Sequence, residues 1–221
     1  MSGAFSDFIR STLFIFGALF PIVNPLGNAP IFLTLTRGLS TGTRALLARK
    51  IAVNGLVLLL VSILIGTYIL AFFGISLAVV QVGGGLVVMA TGWTLLRHDD
   101  EHVPPEGERR MTSARLSQQA FYPLTLPLTV GPGSISVAIT VGANRPEGAE
   151  SRWPLLAAAV IGPALIAVSI YLSYRFAEGV ARVLGETAMN VIIRLSSFIL
   201  LCIGVQILWN GVSALLHSTL P

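Results

Sequence analysis

The chain has 221 residues, of which 54% are hydrophobic and only 11% charged, against roughly 25% charged in ordinary soluble domains. That balance, with a mean hydropathy of +0.81, excludes a water-soluble globule and leaves a helix bundle in lipid, one domain over 1–221. The formal charge of +4 does not point to nucleic acid, because the basic residues are scattered at the ends of apolar runs with no basic, aromatic-interleaved stripe.

A helix needs about 20 residues to cross the hydrocarbon layer, and six runs qualify. The first covers Phe8 to Thr36 and is interrupted midway. Asp7 and Arg10 give it a balanced start. It continues through a Pro-rich break rather than ending at a small-residue cleavage site, so it reads as a retained helix and not a secretory signal. The second runs from Ile51 to Phe73 and the third from Leu77 to Leu96. The fourth, Gln118 to Ala143, is interrupted like the first; the fifth is Trp153 to Phe176 and the sixth Asn190 to Leu216. Cys202, the lone cysteine, lies in the sixth run and has no intrachain disulfide partner.

Three connectors carry Arg37, Arg44, Arg49 and Lys50; Arg97, Arg109, Arg110 and Arg115; and Arg175 and Arg182. The other side holds Arg10, Arg145 and Arg152. Ten basic residues against three is a positive-inside signal that places both termini outside, on the periplasmic or extracellular face.

The two interrupted runs share a pattern. Pro21, Pro25, Leu26 and Pro30 match Pro123, Pro127, Leu128 and Pro132 at a constant offset of 102. In the third and sixth runs, Gly85 and Gly92 correspond to Ser197 and Gly204 at an offset of 112, and Gly211 extends that stripe. Small residues seven apart let helix backbones approach closely in lipid, so packing is the expected role. Each half holds three spans, and an odd number turns the second half upside down. The expected fold is therefore all-α integral membrane: six transmembrane helices as two inverted three-helix repeats, about 8–97 and 118–216, with helices 1 and 4 discontinuous. A loop of about 97–117 joins the halves.

Proline lacks an N–H and frees the carbonyl four residues back. Two prolines in each break, joined by Gly27 and Asn28 or by Gly131 and Gly133, point to an unwound segment rather than a simple kink. Past each break a half-helix begins, with Asn28 as an N-cap type in the first and Pro132 suited to the first helical position in the second. Free N–H groups at such an N-terminus suit a carboxylate, and freed carbonyls suit an ammonium or cation. Two facing copies make a small zwitterion the natural occupant. The expected lining is Asn24, Gly27, Asn28, Thr129, Gly131, Gly133 and Ser134. Asn190 and Arg194, four apart on one face, are candidates for gating, although Arg194 also suits snorkelling to an interface. Asn54 is expected to join helices rather than bind ligand.

No Asp or Glu lies deep in a predicted span, so a carboxylate relay has no obvious residues. His98-Asp-Asp-Glu101-His102 matches a zinc-hydrolase pattern, yet it sits in a polar loop followed at once by Pro104 and Pro105. Ser134 lacks a base, since His98, His102 and His217 all lie outside the spans and Lys50 is at a helix end. An enzyme is not expected, nor is a cofactor or metal.

N-P-L-G-N-A-P-I-F-L-T-L-T at 24–36 and P-L-T-L-P-L-T-V-G-P-G-S-I at 123–135 resemble the two signature segments of the MarC family of multi-pass membrane proteins. The resemblance covers nearly the whole chain, including the N-x3-R step at Asn190 and Arg194, while the long acidic-rich loop 97–115 departs from it and has no assigned role. It implies an inner-membrane protein, with some relatives described as small neutral amino acid transporters. The leading expectation is a secondary carrier of a small neutral amino acid or similar solute, working by rocking around a central site. A channel and a non-transporting scaffold or regulator are the alternatives. The coupling ion is open between Na⁺ and H⁺, an uncoupled facilitator also fits, and a homo-oligomer is compatible with the sequence. Substrate identity and direction are not fixed.

Overall fold

The computed structural model describes residues 2–36, 38–97, 118–143 and 153–219, and all regular structure among them is helical. Helix α1 is Ser2–Val23, α2 Pro25–Leu35, α3 Thr41–Phe72 and α4 Leu77–Arg97. A π-helical segment, Ala120–Thr129, leads into α5 (Pro132–Ala143), followed by α6 (Trp153–Arg175) and α7 (Ala177–Thr219). The H-x-x-E-H motif, Arg37, Arg109, Arg110, Arg115, Arg145 and Arg152 lie outside the described residues.

Five stretches are long and apolar enough to cross a membrane: Ala4–Leu33, Thr41–Phe72, Leu77–Arg97, Trp153–Arg175 and Asn190–His217. The fourth expected span is divided between the π-helical segment and α5, which at 12 residues is too short to cross alone. The second span begins ten residues before its expected start at Ile51. Ser40 caps α3 by accepting from the Thr43 N–H at 3.2 Å, so Arg44, Arg49 and Lys50 belong to the helix and not to a connector. At its other end, α3 stops where Gly74 takes φ 67°. The Gly74 and Ile75 N–H groups there bond back to Ala71 (3.1 Å) and Leu70 (2.9 Å), the reciprocal pair that closes a helix at a left-handed residue. A positive φ at Gly185 bends α7 ahead of its membrane-length part.

Backbone contact sets the packing. A Cβ placed on Gly85 would lie 2.5 Å from the Leu208 nitrogen, and one on Gly92 2.6 Å from that of Leu201. Gly204 meets the Met89 backbone and Gly211 that of Ala78 and Val82. The small-residue stripe therefore seats α4 against α7 within the chain. Helix α1 packs on α6, and α3 on both α5 and α6. The central core joins Leu19, Phe32, Leu47, Ile51, Ile166 and Tyr174, all fully buried.

Candidate functional site at two proline breaks

The first break is narrower than its three-proline signature suggests. Pro21 lies inside α1 and Pro30 inside α2. The interruption is a single residue, Asn24, at φ 46°. Its cause is local: a following proline disfavours the α region at the residue before it, and asparagine tolerates the left-handed region better than most. Pro25 then occupies the first helical position of α2, where its missing N–H costs α2 no hydrogen bond. The Asn24 side chain caps the new helix, its Oδ1 accepting from the Gly27 N–H at 3.1 Å. Asn28 was expected to be this cap; the residue before Pro25 holds that place instead, because the chain turns one proline earlier.

Asn28 does something else. Buried in the first turn of α2, it donates through Nδ2 to the Val23 carbonyl at 2.9 Å and to the Leu128 carbonyl at 3.1 Å. Leu128 is one of the carbonyls that proline frees, here because Pro132 cannot donate to it. A single amide thus ties the end of α1 to the second break, 100 residues away.

The second break is broader. Between Ala120 and Thr129 the chain is π-helical, with extended backbone at Tyr122 and Leu126. Pro123 and Pro127 lie inside it. Two threonines add side-chain bonds within the segment: the Thr125 hydroxyl donates to Ala120 O (2.6 Å) and the Thr129 hydroxyl to Leu124 O (2.7 Å). Asn54 reaches Thr125 Oγ1 at 3.4 Å, a long contact that joins α3 to the break. Thr129 Oγ1 lies 2.8 Å from the Tyr174 hydroxyl. Because Thr129 has already used its one proton on Leu124, Tyr174 is the donor. The Tyr174 ring stacks on Phe32 of α2, centroids 4.5 Å apart and planes within 9°. Tyr174 therefore pins both breaks to α6.

Beside the second break lies a cleft of about 40 Å³ lined by Ile22, Leu128, Thr129, Gly131, Pro132, Gly133, Ser134, Val87, Val88, Thr91 and Leu200. Helix α5 opens onto it with no side-chain cap from Gly131, in contrast to α2. The Gly133 and Ser134 N–H groups fall in the first helical turn, where no intrahelical carbonyl precedes them. The Ser134 hydroxyl turns back to Gly131 O at 2.9 Å, and Val88 packs directly against Gly133. Four of the seven expected lining residues, Thr129, Gly131, Gly133 and Ser134, thus meet at the cleft. Asn24, Gly27 and Asn28 do not line it: Asn24 caps, Asn28 has both amide protons engaged, and Gly27 sits against Asn24 and Ser196 of α7. Asn190 and Arg194 are exposed on α7 and absent from the cleft wall.

Sequence reasoning missed Val88, Thr91, Leu200 and Tyr174, since none belongs to a motif and each arrives from another helix. It also missed Arg44, whose Nη1 meets Glu178 Oε2 at 2.6 Å, with Nη2 3.4 Å from the carbonyls of Thr36 and Leu39. The ion pair joins the start of α3 and the end of α2 to the start of α7. No group of three or more His, Cys, Asp or Glu able to hold a metal occurs among the described residues.

Apolar helices of membrane length, packed through glycine-to-backbone contacts and broken beside a small cleft, define a multi-pass integral membrane protein. The chain belongs to the MarC family: it matches the family described as "MarC family integral membrane protein" over residues 9–216. It is 30% identical over 202 residues to the "UPF0056 membrane protein YvbG" of Bacillus subtilis, covering 91% of this chain and 93% of that one. Similarity to the "UPF0056 membrane protein MJ1677" of Methanocaldococcus jannaschii is 31%, over 89% and 93% of the two chains. To the "UPF0056 inner membrane protein MarC" of Escherichia coli it is 29%, over 90% and 93%. No solved structure matches the chain.

Proposed function

We propose that this protein is a secondary carrier, not an enzyme, that moves a small neutral amino acid or a similar zwitterion by alternating access between the two breaks. The observation that carries the reading is the uncapped start of α5 facing a cleft at the point where the two breaks are tied together. First-turn N–H groups suit a carboxylate, and the carbonyls of the π-helical segment suit an ammonium. A six-span arrangement in two inverted repeats, helices 1 and 4 discontinuous, goes with it. It is supported by the matched prolines and by packing that survives exchange of the halves: α1 packs on α6 and the π-helical segment on α3, while α2 packs on α7 and α5 on α4. We place the chain in the inner membrane, in line with the name of the E. coli relative, with both ends outward by the positive-inside asymmetry.

A cleft of about 40 Å³ holds on the order of three waters, at about 10–15 Å³ each, and no amino acid. Binding therefore requires α4 and α7 to move away from α5, the step that makes this a carrier rather than an open channel. The test is uptake and counterflow of labelled glycine, alanine and serine in proteoliposomes, with and without Na⁺ and H⁺ gradients. Saturable flux with trans-acceleration is expected. Flux linear in concentration would assign a channel, and the absence of both flux and binding across neutral amino acids would remove the substrate class.

A further inference from the structure

The face of α7 turned away from α4 carries polar groups that a lipid-facing helix does not tolerate. At 100° per residue, Cys202, Gln206, Asn210, Ser213 and His217 lie within about 40° of one line. The stripe that seats α4, Ser197, Gly204 and Gly211, lies on the opposite side. Gln206 and Asn210 are both exposed and bond to each other, Gln206 Nε2 to Asn210 Oδ1 at 2.9 Å. That bond uses one donor and one acceptor. Gln206 Oε1 and the two Asn210 N–H groups have no partner among the described residues. In the stretch Asn190–His217, Gln206 lies within about 4 Å of the midpoint and Asn210 within about 10 Å, at 1.5 Å rise per residue. Amide groups at that depth seek a hydrogen-bonding partner on another helix.

We propose that this face is the interface with a second copy of the chain, in a dimer whose two-fold axis runs along the membrane normal. The chemistry selects the occupant. A carboxamide carries both donor and acceptor, so the same patch satisfies itself across a two-fold axis: Gln206 Oε1 accepts from the partner's Asn210, and the reverse. The small-residue stripe, which could otherwise have served this purpose, is already used inside the chain. Phe198 and Trp209, exposed 52% and 62%, lie along one edge of that line and supply apolar contact beside the amides.

Cys202 is the chain's one cysteine, exposed and one helical turn from Gln206, so it reports on the interface without any added probe. In lipid nanodiscs the wild type is expected to show a dimer mass at high lipid excess. Q206L/N210L is expected to become monomeric while keeping the wild-type helical content. A monomeric wild type overturns the proposal, as does a double variant that stays dimeric. Ready labelling of Cys202 by a membrane-impermeant maleimide overturns it too, since the face then meets water.

Discussion

Replacing Asn28 with alanine removes the one amide that holds the two breaks together. Its Nδ2 bonds to Val23 O and Leu128 O, at 2.9 and 3.1 Å, are both lost. Stranding a buried acceptor costs about 1–3 kcal/mol, so two give about 2–6 kcal/mol. Interhelical hydrogen bonds in membranes measure nearer ~0.6 kcal/mol, because the stranded group finds other partners, so the low end, about 2 kcal/mol, is the expected loss. For a chain of this size that lowers the melting temperature by about 4–8 °C. Melts of purified protein in detergent, followed by intrinsic fluorescence, read it directly. Asn28→Asp is the sharper form of the test. It keeps the shape but sets an acceptor against two carbonyls, and it should melt below Asn28→Ala. At Asn24 the order depends on backbone instead: Ala loses the cap, about 1 kcal/mol, and is strained at positive φ, whereas Gly suits φ 46° and loses only a few tenths. An Asn28→Ala protein that melts with the wild type, or an Asn28→Asp protein more stable than it, refutes the cross-break link.

Three further outcomes follow from the packing. Gly85→Ala should lower folded yield and melting temperature, because its Cβ meets the Leu208 backbone, while Gly83→Ala, with nothing within 4 Å, should be neutral or slightly stabilising in the same expression and melting assays. Tyr174→Phe keeps the stack on Phe32 and loses only the bond to Thr129, about 0.5–1.5 kcal/mol. Tyr174→Ala opens a cavity at about 3–5 kcal/mol, so a Phe variant as damaged as the Ala variant would contradict the assigned contacts. For Arg44 and Glu178, the latter 47% exposed, a double-mutant cycle should give a coupling of about 0.2–1 kcal/mol. Arg44→Ala should cost more than Glu178→Gln, because it also uncovers the Thr36 and Leu39 carbonyls.

Several features were readable from the chain because their causes are local. Composition selects lipid as the solvent, and proline's missing N–H marks both interruptions wherever the rest of the chain goes. The spacing of Gly85 and Gly92, Ser197 and Gly204 marks faces of close approach, since helical periodicity alone puts them in line. Other expectations went astray where a residue's role depends on what its neighbours have already used. Asn28 has the chemistry of a cap and of a ligand, yet its protons are spent on Val23 and Leu128. Thr129 lines the cleft, but its hydroxyl is committed to Leu124 and Tyr174.

Sequence by itself determined that this is a helical membrane protein with two proline-marked breaks, because hydropathy, imino-acid chemistry and helical period act within a few residues. Only the tertiary structure decided which residue turns the chain at the first break, that α5 rather than α2 opens on the cleft, and that Val88, Leu200 and Tyr174 complete its surroundings. Those choices rest on contacts between positions tens to a hundred residues apart, where a side chain's hydrogen-bonding capacity is shared out by packing and leaves no local signature.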